Sequence, residues 1–184
     1  CLLVCSISIC LTGQSSDKPR IGLTLSGGGA KGLAHIGILQ AIDSAGLEIS
    51  AITGTSMGAV VGSLYSIGYS GKELEKLARE LDWTGLFLSI PKLNEVGMLQ
   101  KEDYGRYPIQ LPLERGKIKP YNGVLEAQGI WEEFGKLFLP VYNIDSFADF
   151  NIPFECMATN LGTGEPVVLK SGDIVTAVRA SMAI

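Results

Sequence analysis

The sequence holds a single histidine in 184 residues. Any chemistry built on imidazole must use His35, which lies between Ala34 and Ile36 inside a run of helical period. A Ser-His-Asp triad could be built only on this residue, and a packed or capping helix histidine is the simpler reading. Basic residues are also scarce: 15 Lys and Arg stand against 19 Asp and Glu, a net charge of −4 with no basic cluster. That balance excludes the electrostatic footprint of a nucleic-acid binder. Of the four cysteines, Cys1, Cys5 and Cys10 fall in the N-terminal apolar run, which leaves Cys156 alone in the body of the chain. A lone thiol makes no internal disulfide, and one histidine with one body cysteine makes no metal cluster. No metal and no cofactor are therefore expected. Internal repeats and low-complexity tracts are missing as well.

What is present is the composition of a globular chain, 46% hydrophobic and 18% charged, with enough residues for one domain and its core. Residues 2–11 form an apolar run too short to span a membrane as a helix, followed by Thr12-Gly13-Gln14-Ser15-Ser16. This is the pattern of a secretory signal without its basic start, and the competing reading is a buried first strand. Residues 1–18 are accordingly expected to be the remnant of a secretion signal and linker. Residues 19–184 are expected to form one domain of an exported protein that is periplasmic, outer-membrane-associated or secreted.

Residues 20–26 read as a first strand, bounded by Pro19 and by the glycines that follow. A helix is expected over 31–45, with Leu33, Ile36, Leu39 and Ile42 at helical spacing and Gly46 at the cap position. A second strand at 49–53 leads to a helix-like run at 59–69, and Ser70 with Glu73 forms a capping box for a helix to residue 81. Alternating strand and helix predict an α/β fold with a parallel sheet. Trp83, Leu86, Phe87, Leu88 and Ile90 have no clean period and read as core or as a lipid-facing rim. Strands and loops are expected over 104–120 and a short helix over 129–139. Strands follow at 152–159 and 166–170, with Thr163-Gly164 in the turn between them, and Asp173 caps a last helix through Arg179.

Two glycine-rich stretches carry the chemistry. Gly54-Thr55-Ser56-Met57-Gly58 is a G-x-S-x-G turn between a strand and a helix. A serine there is held in a strained conformation with its hydroxyl pushed outward, and Gly54 and Gly58 let strand and helix close around it. The second stretch, Gly27-Gly28-Gly29-Ala30-Lys31-Gly32, satisfies G-x-G-x-x-G after a strand and admits two readings. As a dinucleotide loop it wants an acid at the end of the second strand, where Thr53-Gly54-Thr55-Ser56 has none; Asp43 and Glu48 come earlier. As an oxyanion hole, its backbone N–H groups stand clear of side chains, and each such donor lowers an acyl-transfer barrier by about 3 kcal/mol. If the first two strands are neighbours, the loop and Ser56 share one cleft. Close helix–sheet packing is the expected reason for Gly32 and Gly37.

S-G-G-G-A-K-G followed one strand later by G-T-S-M-G resembles the patatin-like phospholipase family. The resemblance extends through Ile152-Pro153-Phe154, Ala158-Thr159-Asn160-Leu161 with Thr163-Gly164-Glu165, and Ala177-Val178-Arg179-Ala180-Ser181-Met182-Ala183-Ile184. Tyr69-Ser70 and Asp82-Trp83 are similar to its bacterial exported branch. The resemblance implies a three-layer α/β acyl-hydrolase fold with a serine nucleophile elbow, and a Ser-Asp dyad that needs no histidine. By it, Ser56 is the nucleophile, the N–H groups of Gly27, Gly28 and Gly29 form the oxyanion hole, and Lys31 and Gly32 support that loop. The implied substrate is a phospholipid or other fatty acyl ester met at a membrane surface; oligomeric state stays open. Where the family often has aspartate, this chain has Asn160, read as a turn residue. The family's catalytic aspartate lies in a D-G-G or D-G-A motif, and no D-G pair occurs in these 184 residues. The aspartate is expected after Ile184, and the chain without it is expected to be inactive. Two alternatives remain: a phosphate or nucleotide-binding module using residues 27–32, or an inactive lipid-binding remnant.

Overall fold

The computed structural model describes residues 20–83, 113–114, 117–118 and 128–183. The N-terminal run 2–11 and its linker, the apolar stretch beyond Trp83 and most of 104–120 lie outside the described residues. In chain order the elements are β1 (Ile21–Leu25), a 3-10 turn (Gly29–Ala34), α1 (His35–Ala45), β2 (Ile49–Thr55), α2 (Met57–Ser66) and α3 (Gly71–Glu80). Then come β3 (Leu113–Glu114), β4 (Lys117–Ile118), α4 (Gln128–Leu137), β5 (Phe154–Thr159), β6 (Pro166–Leu169) and α5 (Ile174–Met182). The main sheet has the order β1-β2-β5-β6, with the first three strands parallel and β6 antiparallel at the edge. β3 and β4 form a separate antiparallel pair. The α/β fold with a parallel sheet is the one expected.

One face of the sheet builds the core. Leu25, Ile52, Phe154 and Cys156 are buried, while Gly22, Thr24 and Ala51 point away and are exposed. α2 lies on the buried face with all ten of its residues covered, since the sheet is on one side of it and α1 and α3 are on the other. A helix enclosed on every side needs no polar stripe, and Met57 to Ser66 has none. α3 is the opposite case, an amphipathic helix with the expected capping box: Ser70 Oγ accepts from Glu73 N–H, and Glu73 Oε2 accepts from Ser70 N–H. Trp83 is half-buried against this core and donates its indole N–H to Ala78 O at 2.7 Å.

Several boundaries differ from the sequence expectation, among them the start of β5 at Phe154 and not residue 152, and the run of α5 to Met182 and not Arg179; three of them shape the site. The first helix opens as a 3-10 turn over Gly29–Ala34, because two glycines in its first four residues favour a tight, weakly helical start. β2 runs on to Thr55, since Gly54 and Thr55 keep pairing with Cys156 and Met157 of β5. α2 starts at Met57, not Ala59, because the Ser56 carbonyl already accepts from Ala59 and Val60. No helix of the described residues is long and apolar enough to cross a membrane.

Asp43 ties the outer helices to α2. Its Oδ1 accepts from Tyr65 OH at 2.6 Å and its Oδ2 from Gly71 N–H at 2.7 Å. Burial, then the hydrogen bond and charge of Asp43, push the Tyr65 phenol from 10.0 up to about 12. Because the folded value lies above the unfolded one, the contribution is complete below pH 10 and is lost as pH rises towards about 12. Urea midpoints of the chain and of Tyr65→Phe are expected to differ up to about pH 10 and to converge as pH rises from there towards about 12. Asp43→Ala is expected to cost about 2–3 kcal/mol at neutral pH, read from the same denaturation curves.

Candidate active site

Parallel neighbouring strands bring their C-terminal ends side by side, and the loops that leave β1 and β2 meet there. Ser56 follows β2 with φ 53 and ψ −120, the one non-glycine residue at positive φ among the described residues. Such a conformation costs about 1–3 kcal/mol and persists only where its surroundings fix it. Here β2 precedes it and α2 follows at once. Its carbonyl accepts from Ala59 N–H at 2.9 Å and Val60 N–H at 3.1 Å, and its own N–H donates to Ser181 Oγ at 2.9 Å. The flanking glycines are required by close approach: a Cβ on Gly54 would lie 2.5 Å from Gly58 O, and one on Gly58 would lie 2.2 Å from Leu25 O.

The loop after β1 lies against this turn. A Cβ on Gly27 would stand 3.1 Å from Ser56 Cβ and 3.9 Å from its Oγ. Gly28 (φ 148) and Gly29 (φ 53) hold conformations that favour glycine, and all three residues are exposed. Among the described residues the N–H groups of Gly27 and Gly28 have no acceptor. The loop closes through Lys31 N–H to Gly28 O at 3.2 Å, with the Lys31 side chain in solvent. Gly32 is buried, and a Cβ there would fall 2.6 Å from Met57 Cβ, so the glycine loop docks on the first residue of α2. The packing role expected of Gly32 is thus helix-to-helix, not helix-to-sheet. The same expectation for Gly37 is wrong: that position is exposed, with nothing within 4 Å of a built Cβ.

His35 Nε2 donates to Ser26 O at 2.9 Å, which pins the end of β1 just before the glycines. No hydrogen bond joins His35 to Ser56 among the described residues. Asp173 is the expected helix cap, accepting at Oδ2 from Thr176 N–H at 2.8 Å. Asn160 is the expected turn residue, its Oδ1 accepting from Gly162 N–H at 2.9 Å and Thr163 N–H at 3.3 Å. The Cys156 thiol, fully buried, is pushed up to about 12 by burial, so it is no nucleophile. No carboxylate hydrogen-bonds Ser56 Oγ, and no group of three His, Cys, Asp or Glu gathers as metal ligands, among the described residues. Ser181 is the contact that sequence reasoning missed. It stood inside a quoted motif without a role, and its bond to Ser56 spans 125 residues, beyond any local signal.

The arrangement places a half-buried serine at a helix N-terminus, with the backbone donors of the glycine loop beside it, and such a terminus favours negative charge developing there. The glycine docking is open to a direct comparison. Gly32→Ala is expected to destabilise by about 1–3 kcal/mol through the Met57 clash. Gly37→Ala, in open space within α1, is expected to stabilise by up to about 1 kcal/mol. Urea denaturation of both variants reads the contrast.

Comparison with known proteins gives this geometry a context. The model of the patatin-like phospholipase family matches residues 23–184. An uncharacterized NTE family protein of Mycobacterium tuberculosis is 33% identical over 172 residues, covering 93% of this chain and 39% of that protein. The lysophospholipase NTE1 of Pyricularia oryzae is 32% identical over 168 residues, covering 89% of this chain and 9% of that enzyme. The chain therefore spans well under half the length of either relative. Among solved structures, the type III effector protein ExoU is similar with a TM-score of 0.50 and 22% identity, over 89% of this chain and 39% of that one. The ExoU-SpcU complex of Pseudomonas aeruginosa gives 0.51 and 20%, over 89% and 36%. These structural likenesses concern the fold. With its glycine loop and serine turn inside the matched range, the chain belongs to the patatin-like phospholipase family.

Proposed function

We propose that this domain is a serine lipid acyl hydrolase of phospholipase type. The observation that carries the reading is the contact between the Gly27 loop and Ser56, the one non-glycine residue at positive φ among those described. Ser56 Oγ attacks the carbonyl carbon of a fatty acyl ester and loses its proton to a base. The N–H groups of Gly27, Gly28 and Gly29 stabilise the oxyanion, the alcohol leaves with a proton, and water then releases the acyl group from Ser56. The base is the aspartate that the family resemblance puts after Ile184. Phospholipid or lysophospholipid esters are the substrate class, in keeping with the lysophospholipase names of the fungal relatives. Lys31 is exposed beside the loop, and in this reading its charge attracts the anionic head group.

The nucleotide reading of the same loop is less well supported. β2 ends at Thr55 and is followed by Ser56, with no acid for a ribose, and the loop lies close against the serine. In the full-length protein, a fluorophosphonate is expected to label Ser56, and Ser56→Ala is expected to lower ester hydrolysis by at least about a thousandfold with its fold intact by circular dichroism. Wild-type protein that hydrolyses no acyl ester and leaves Ser56 unlabelled would sink the proposal. Saturable micromolar nucleotide binding in that case would move the assignment to a phosphate-binding module.

A further inference from the structure

The pairing of β2 with β5 reaches its last register at Thr55 and Met157. One residue on, the chain turns away into Ser56 at φ 53, and the sheet hydrogen bond that would come next cannot form directly. Ser181 on α5 fills that gap. Its Oγ accepts from Ser56 N–H at 2.9 Å and donates to Met157 O at 2.5 Å. A hydroxyl has one hydrogen to give, and here it is used on Met157, so the acceptor side is left for the Ser56 amide. The side chain is buried, 9% exposed, at the covered end of α5.

We infer that Ser181 is a positioning residue for the reaction: its hydroxyl is the rung that carries the sheet into the nucleophile's turn and fixes the direction of Ser56. The inference rests on Ser56 being the nucleophile. Two consequences follow from the geometry. The Ser56 N–H is committed to Ser181, so it is not a donor for the oxyanion, and that task falls to the glycine loop. The strained backbone of Ser56 is held from three sides, by β2, by α2 and through α5. Loss of the hydroxyl leaves the Ser56 N–H and a Met157 lone pair without their partner, and the turn is then free to relax away from the productive orientation.

The test uses the full-length protein and a fluorophosphonate probe, with ester turnover measured in parallel. Ser181→Ala is expected to slow both labelling of Ser56 and kcat by about tenfold to a hundredfold, with KM unchanged within about twofold. Ser66→Ala is the matched control: it removes another buried hydroxyl, one without a hydrogen-bond partner, and is expected to leave both rates unchanged. If Ser181→Ala does not fold, Ser181→Cys, of similar reach but a poor acceptor, carries the comparison with the same expected loss. Wild-type rates in whichever of the two folds, or a lowered melting temperature with kcat of the folded protein intact, would overturn the positioning role while leaving the hydrolase reading in place. A wild-type protein that is neither labelled nor active would overturn the hydrolase reading itself, and this role with it.

Discussion

The close approach of β1, β2 and α2 at Gly54 and Gly58 is the constraint on which the rest depends. With no Cβ at either position, the first turn of α2 sits directly on the carbonyl end of β1, and the strand-to-helix turn shrinks to one residue. That residue is Ser56, and the shortness of the turn is what forces its φ to 53. The glycine loop can then fold down onto α2 through Gly32 and Met57. Strain at the serine and closeness of the loop are two results of one packing decision.

Around this point the molecule is arranged as support. α2 is enclosed by the sheet on one side and by α1 and α3 on the other, so the helix that carries the serine has no solvent face along which to shift. Asp43 joins α1 to Tyr65 of α2 and to the start of α3 with two hydrogen bonds from one carboxylate. His35 holds the Ser26 carbonyl at the other edge of the site. Asp43 and His35 thus act on backbone groups at element ends, the first N–H of α3 and the carbonyl that follows β1.

Much of this was legible in the sequence because it is written in short-range patterns. The alternation of strand and helix, the Ser70–Glu73 box, the Asp173 cap and the two glycine motifs each depend on residues a few positions apart, and each was read in place. The start of α2 was misread because a helix buried all round has no period to mark its boundary. Gly37 was misread because a glycine required by close packing and one in open space look the same as letters. Ser181 was invisible as a contact, since nothing local ties α5 to the turn after β2. The residues that place the motifs were the hard part, not the motifs.

Cys156 gives the fold a property of another kind. It lies in the middle of the sheet opposite Gly54, fully covered, with its thiol held in the neutral, unreactive form. Its side chain lies on the face of the sheet that the helices cover, so a thiol reagent reaches it only when that cover opens, and its modification rate is a clock for opening of the core at the register where the serine turn begins. The protein therefore carries, beside its proposed nucleophile, a silent chemical witness to whether that turn is assembled.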